Sequence, residues 1–326
     1  MRKIQYSVFR RDTRSASGKA KWDASDILLD MGFEELYSPS KHRPLRVAQQ
    51  LYHTISVKRD SLLAVQYPAN RPLFYKTLAV RHVRSFALIH DLESLRLQTG
   101  IENDVGVLSS FEGVISHTPA MSEALREGGY KGHVVDLGLF DYLGFEGDVS
   151  GDRDPSVVSF AGNLAKSGFL RKLGGTGLNV NLYGGPEPEA SVLGEHVRYM
   201  GSFPANDVPG MISGGWGLVW DGDSTDACTG LTGEYLRFNC PHKASMYVVA
   251  ERPLIVWDES AIAPYVVERN LGIAVGSLVE AADRIKGMGS SEYQALIGCV
   301  REEKAELCRG AHIRRSVESM TEVLKA

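Results

Sequence analysis

The strongest constraint on the fold is a rhythm: short β-branched or aromatic runs alternate with segments of helical period along the whole chain. Such alternation reads as βαβ units, which build parallel sheets covered by helices. At 326 residues the chain exceeds what one hydrophobic core usually serves, so two α/β, Rossmann-like domains of about 150 residues each are expected. In the first half, strands are predicted near Ile4–Phe9, Leu62–Gln66, Phe86–His90, Gly113–His117 and His133–Asp136. Among the helices between them Ala20–Met31 is the clearest, because Ala20, Ala24, Ile27, Leu28 and Met31 recur at helical spacing and Gly32 stops the run.

After Asp136 the pattern weakens into Gly144, Gly147, Gly151 and Asp152-Arg153-Asp154-Pro155 before a new apolar run begins at Val157. The domains are therefore expected to span 1–152 and 153–309. In the second, strands are predicted at Val157–Ala161, Asn179–Tyr183, Gly217–Trp220 and Leu254–Trp257, with helices near Asp207–Ser213, His242–Ala250 and Ala261–Glu268. Further helices start near Val279, Ser291 and His312. The last of them, His312–Leu324, has no strand to follow, so the segment 310–326 is expected to cross back onto the first domain.

A formal charge of −4 gives no general attraction to nucleic acid. Basic residues nevertheless cluster early, at Arg10, Arg11, Arg14, Lys19, Lys21, Lys41, Arg43 and Arg46. That cluster suits a solvated face, an anionic ligand or peripheral association with an anionic membrane. The opening Met1-Arg2-Lys3-Ile4-Gln5-Tyr6 has no apolar leader, and no segment approaches 18 uninterrupted apolar residues, so a cytoplasmic protein is expected. Cys228, Cys240, Cys299 and Cys308 lack metal-site spacing and are expected to be free thiols.

In open α/β sheets ligands bind beyond the carboxyl ends of the strands, so the residues following each strand carry the functional reading. After the first strand, Arg10–Ala20 is a hydroxyl-rich, glycine-containing loop opening a helix. Ser15, Ser17 and Gly18 there offer donors to an anion, or Ser15 or Ser17 simply caps the helix. It is not a Walker A loop, since Thr13 stands where the first glycine belongs and Ala20 where the hydroxyl residue belongs. The strand Phe86–Ile89 delivers His90 and Asp91, a pair suited to general-base work, although Asp91 also suits a helix cap or a nearby arginine.

In the second half, Phe160-Ala161-Gly162-Asn163-Leu164-Ala165-Lys166 is a strand, a tight turn and a helix start bearing a lysine. Pro241-His242-Lys243 places a second lysine in the first turn of a helix. Each lysine alone reads as solvent-facing. Together at one sheet mouth they suit an anionic leaving group. The turn Asp258–Ala263, with Ser260, Ala261 and Ile262, adds a helix N-terminus for phosphate oxygens. Asp221-Gly222-Asp223 matches the DxD pattern that binds divalent ions, but three residues in a chain with 40 acidic ones match by chance. A polar turn, or a contact from Asp221 to a nucleotide, is the preferred reading.

The patches Ser15–Lys21, Met31-Gly32-Phe33, Gln66-Tyr67-Pro68, Ile89-His90-Asp91 with Leu95-Arg96, Phe140–Leu143, Phe160–Leu164, Gly217–Trp220 and Pro241–Ser245 through Pro253–Trp257 together carry a family likeness. In order and spacing the chain resembles the bacterial GT-B sugar transferases that include the β-1,6-galactofuranosyltransferases and the glucosyltransferase of serine-rich adhesin glycosylation. The resemblance implies GT-B architecture, two Rossmann-like domains facing across a cleft, with a UDP-sugar donor held mainly by the C-terminal one. It implies Lys166 and Lys243 at the donor phosphates, the Ser15–Gly18 loop near the diphosphate, Phe203 as an aromatic donor contact, and Asn239 and Asp221 among the donor-binding residues. It also implies an inverting, metal-independent and cofactor-free transfer to a glycan or glycoconjugate acceptor by a homo-oligomer. The base would be Asp91, His90 or Asp12. Galactofuranose is the favoured sugar; glucosyl transfer in glycoprotein glycosylation and a non-catalytic partner subunit are the rivals.

Overall fold

The computed structural model describes residues 2–7, 16–37, 42–68, 83–145, 147, 149, 152–189 and 194–325, without the side chains of Ser7, Ala16, Ser17, Tyr37, Arg43, Arg46 and Thr54. Asp12 and Ser15 lie outside the described residues. The chain forms two compact units. The first holds Met1–Asp12, Ser17–Leu137 and Gly310–Ala326; the second holds Thr13–Ala16 and Gly138–Arg309.

The first unit is a parallel sheet of six strands: β1 (Lys3–Ser7), β2 (Glu34–Tyr37), β3 (Leu62–Tyr67), β4 (Arg84–Ile89), β5 (Gly113–Ser116) and β6 (His133–Asp136). Their order in the sheet is β2-β1-β3-β4-β5-β6. All six residues of β3 are buried. A central parallel strand is covered on both faces, which is why Leu62-Leu63-Ala64-Val65 reads as an unbroken apolar run rather than an alternation. Helix α1 (Ala16–Asp30) buries Ala20, Ala24, Ile27 and Leu28, the stripe its sequence period marked. Helix Ala311–Val323 closes the unit against β5 and β6. Ser316 Oγ donates to the Asp136 carbonyl at 3.4 Å, and Arg314 pairs with Asp30 at 2.5 Å.

The second unit repeats the plan with β7 (Val157–Asn163), β8 (Asn179–Gly185), β9 (Val197–Gly201), β10 (Trp216–Val219), β11 (Leu254–Trp257) and β12 (Gly272–Val275). Here the order is β12-β11-β10-β7-β8-β9, again all parallel. Trp216, Leu218, Trp220, Ile255 and Trp257 fill the core on one face; Val219, Tyr247, Val248, Leu254 and Val256 fill it on the other. Leu139 and Tyr142, from the weakly patterned stretch after Asp136, belong to this second core. Tyr142 stacks on His242 with ring centroids 5.0 Å apart.

Three strands escape the sequence reading: β2, β9 and β12. Each lies at a sheet edge. An edge strand has neighbours on one side only, so Glu34-Glu35-Leu36-Tyr37 and Val197-Arg198-Tyr199-Met200 carry polar residues that break an apolar run. Helix α2 (Arg43–Ser56) is also additional to the predicted elements. The four cysteines form no disulfide. Among the described residues no helix is long and apolar enough to cross a membrane.

A charge hub ties the start of β7 to the long helix Ser290–Cys308. The Glu251 carboxylate accepts from Arg153 at 2.6 Å, Arg301 at 2.9 Å and Lys304 at 3.0 Å. Burial alone would raise its pKa, but these three cations outweigh it and hold the carboxyl at about 2. A folded pKa below the ordinary carboxylate value stabilises the fold above about pH 4.5, and that contribution disappears as pH falls toward 2. Glu251→Gln is expected to lower unfolding stability at neutral pH by about 2 kcal/mol or more. Denaturant titrations should show the difference from the wild type shrinking between about pH 4 and pH 2.

Candidate active site

In the second sheet the chain moves outward from β7 through β8 to β9, then returns to β7's other side and continues through β10, β11 and β12. The switch point therefore lies between β7 and β10, where ligands of open α/β sheets bind. Pairing between these strands joins Trp216 to Val158 and Gly217 to Ser159, at their amino ends. Farther along, the Ala161 amide donates at 2.6 Å to the hydroxyl of Tyr247. Tyr247 comes from helix His242–Val249 and packs so close to Gly217 that a Cβ there would strike its ring. A side chain thus takes the hydrogen bond that a neighbouring strand would otherwise make.

Beside this parting stands Lys243. Its Nζ donates to the Trp220 carbonyl at 2.9 Å, pairs with Asp221 at 3.4 Å, and sits 4.9 Å from the Phe160 ring centre. The lysine side chain is 16% exposed, so the charge is close to the interior yet reachable. An ammonium has three N–H donors, and two have described partners here. Lys243 also occupies the first turn of its helix, whose N-cap Pro241 supplies no side-chain acceptor. Ammonium and amide dipoles therefore share one place suited to an anion.

The other residues singled out by sequence fall around this point in different ways. Lys166 ends a short helix after β7 and is exposed. The loop Asp221–Asp223 reaches the same region: the Phe169 amide donates to the Gly222 carbonyl at 3.1 Å. Gly222 has φ +95°, and a Cβ would collide with the Thr229 carbonyl, so only glycine fits this turn. Asp221 engages Lys243, whereas Asp223 lies against Gly168. Among the described residues no group of three or more His, Cys, Asp or Glu could hold a metal ion. Asn239 is half-buried and its Oδ1 is buried without a hydrogen-bond partner. Phe203 follows β9, with its ring 6.5 Å from that of Tyr183.

The turn after β11 differs from its sequence reading. The Ser260 amide and hydroxyl both donate to the Trp257 carbonyl, at 3.0 and 2.6 Å, and the Ala261 amide donates to Leu236 at 2.8 Å. Ile262 is buried. These amides are spent on closing the turn, so Ser260 and Ala261 do not offer them to a phosphate. Arg237 is the residue there that sequence reasoning passed over. It lies 4.5 Å from the Trp257 ring centre and binds Glu234 and Glu259, linking this turn to the segment carrying Asn239. Only its place beside a strand-end tryptophan distinguishes it, and that contact is invisible in one dimension.

In the first unit, register pairs Gln66 with Leu88 and Tyr67 with Ile89, which sets His90 beside Gln66. His90 Nε2 lies 2.8 Å from Gln66 Oε1, and Gln66 Nε2 donates to Ser25 Oγ at 2.8 Å. With the Gln66 oxygen facing it, Nε2 of His90 is placed to donate to Gln66 Oε1. Asp91 is held by Arg96 at 2.8 Å, the arginine partner weighed among its alternatives. Lys21, on α1, has its pKa lowered by burial, against the opposing pull of Asp91. Ser17 and Gly18 lie in the first turn of α1; the side chain of Ser17 is not described.

Comparison with known proteins fixes the family. The glucosyltransferase 3-like N-terminal domain matches residues 6–139, and the glucosyltransferase 3-like C-terminal domain matches residues 158–320. The chain belongs to the glucosyltransferase 3-like family. It is 30% identical to the β-1,6-galactofuranosyltransferase WbbI of Escherichia coli (strain K12) over 334 aligned residues, covering 96% of each chain. An α,α-trehalose 6-phosphate synthase from Burkholderia multivorans superposes with TM-score 0.63 at 12% identity, covering 99% of both chains. The pneumococcal O-GlcNAc transferase GtfA, in complex with UDP and GlcNAc, gives TM-score 0.53 at 13% identity over 87% of this chain and 61% of that one.

This glucosyltransferase 3-like protein is thus an enzyme, a glycosyltransferase, and its two Rossmann-like units are those of the GT-B fold. Its switch point depends on Tyr247. Tyr247→Phe strands the Ala161 amide and should destabilise the enzyme by about 1–3 kcal/mol. Equilibrium urea unfolding will read this loss; an unchanged midpoint would mean that the amide finds another acceptor.

Proposed function

We propose that the enzyme transfers a hexosyl unit, galactofuranosyl in the favoured reading, from a UDP-sugar to a hydroxyl of a glycan or glycoconjugate acceptor. The observation that carries the donor assignment is Lys243 at the parting of β7 and β10, with Lys166 following β7. In this reading the sugar's anomeric carbon gains a bond to the acceptor oxygen as its bond to the diphosphate oxygen breaks. The diphosphate leaves with the electron pair, and Lys243 and Lys166 stabilise its added charge. The proton of the acceptor hydroxyl goes to His90, whose ring Gln66 orients. Asp91, already bound to Arg96, orients and charges that surface. Asn239 Oδ1, buried and unpaired, would accept from a hydroxyl or N–H of the nucleoside. Attack opposite the leaving group inverts the anomeric centre.

Metal independence is part of the same proposal, because Lys243 occupies the carboxylate that a divalent ion at Asp221 would need. The galactofuranosyl preference is supported by the likeness to WbbI across nearly the whole chain. The glucosyltransferase 3-like family description keeps UDP-glucose as the alternative donor. A homo-oligomer rests on the family resemblance, and a cytoplasmic place on the sequence reading of the opening residues and apolar runs.

Charge-assisted hydrogen bonds are worth roughly 1.5–3 kcal/mol each, so Lys243→Ala should weaken UDP binding about tenfold or more in calorimetry, with Lys243→Arg recovering part of it. Near-normal affinity and turnover in Lys243→Ala would remove the donor site from this position. His90→Gln is expected to bind UDP as the wild type does while turnover drops by about two to four orders of magnitude. Transfer assays with a panel of UDP-sugars distinguish the donors, and activity should survive a chelator.

A further inference from the structure

Helix α2 is built inside out. Its mean residue orientation places Gln50, buried, and the ring of His53, edge-on to Tyr6 at 5.9 Å, toward the sheet. Leu45, Val47, Leu51, Tyr52 and Ile55 point the other way and are exposed, Tyr52 at 69% and Ile55 at 76%. At about 100° per residue these five fan over a little under half the circumference, forming one continuous apolar face. Scattered surface apolar residues need no explanation, but a contiguous stripe along a helix does.

The segment that carries the stripe is predominantly basic. From Ser38 to Asp60 the sequence holds five Lys or Arg residues, Lys41, Arg43, Arg46, Lys58 and Arg59, against one acidic residue, Asp60. Lys58, Arg59 and Asp60 are exposed just after the helix. Two copies meeting face to face about a twofold axis would bring two segments of net positive charge together, an arrangement that like charges disfavour. A surface that is anionic outside and apolar just beneath satisfies both features at once. We propose that α2 docks the enzyme on an anionic lipid bilayer, the apolar stripe entering the acyl boundary while Lys58 and Arg59 meet the headgroups. This inference goes beyond the transfer reaction and does not rest on the donor site.

The test uses the full chain in vesicle co-sedimentation, with phosphatidylcholine alone and with added phosphatidylserine. The expected result is binding to the phosphatidylserine vesicles that declines with salt. Leu51→Glu combined with Ile55→Glu should weaken it about tenfold or more, and Lys58→Glu with Arg59→Glu should do likewise. Both variants alter exposed residues and are expected to keep the wild-type melting temperature and UDP affinity, so a failure here is separable from a failure of the donor assignment. Equal sedimentation with both vesicle types, no sedimentation, or unchanged binding by the variants would overturn the proposal. So would an oligomer, seen by sedimentation velocity, that Leu51→Glu with Ile55→Glu dissolves without any lipid binding, since that assigns the face to a second copy.

Discussion

The architecture of the second unit's candidate site depends on where hydrogen bonding between β7 and β10 stops. Continued pairing would carry the backbone groups of both strands into the sheet and leave a closed edge. Instead Tyr247 takes the Ala161 amide, and Gly217, lacking a Cβ, admits the ring. The same helix that carries Tyr247 holds Lys243 in its first turn, one turn earlier. Opening the sheet and placing a cation at the opening are therefore one structural event, because both residues are fixed on a single rigid element.

That coupling explains why Lys243 is held rather than waving in solvent. Its carbonyl and carboxylate partners sit on the strand end and loop after β10, and the loop's path is set by a glycine in the left-handed region. A lysine so restrained loses less entropy when it meets an anion. The first unit uses an analogous device. Gln66 on β3 holds His90 at the end of β4, and it is held in turn by Ser25 of α1. In each unit the candidate group is a strand-end or helix-start residue whose orientation comes from a neighbour on another element.

Legibility in the sequence followed burial. Central strands such as β3, β4, β10 and β11 announced themselves because both faces are covered, leaving unbroken apolar runs. The edge strands β2 and β9 did not, since one side meets fewer neighbours and tolerates polar residues; β12, Gly272–Val275, is an apolar run that the reading passed over. Helix α2 was missed for the opposite reason: its apolar stripe faces outward while Gln50 faces in. Among the candidate site residues, Lys166 and His90 follow buried strands, and Lys243 opens a helix after Pro241, places that sequence can mark. The hydrogen bonding of the Ser260 turn was not legible, because nothing in its sequence reveals that the Leu236 carbonyl and its own Trp257 carbonyl take the amides.

The sequence by itself determined the parallel α/β architecture and the family, because periodicity and short motifs are local properties written along the chain. Only the tertiary structure decided which strands part, which carboxylate Lys243 engages, which partners bind Asp91 and the Ser260 turn, and which face α2 turns outward. Those outcomes depend on contacts between residues distant in the chain, such as Ala161 with Tyr247 or Gln66 with His90. A hydrogen-bonding group has no partner until folding supplies one, and the partner it receives settles whether it builds the fold or remains available for chemistry.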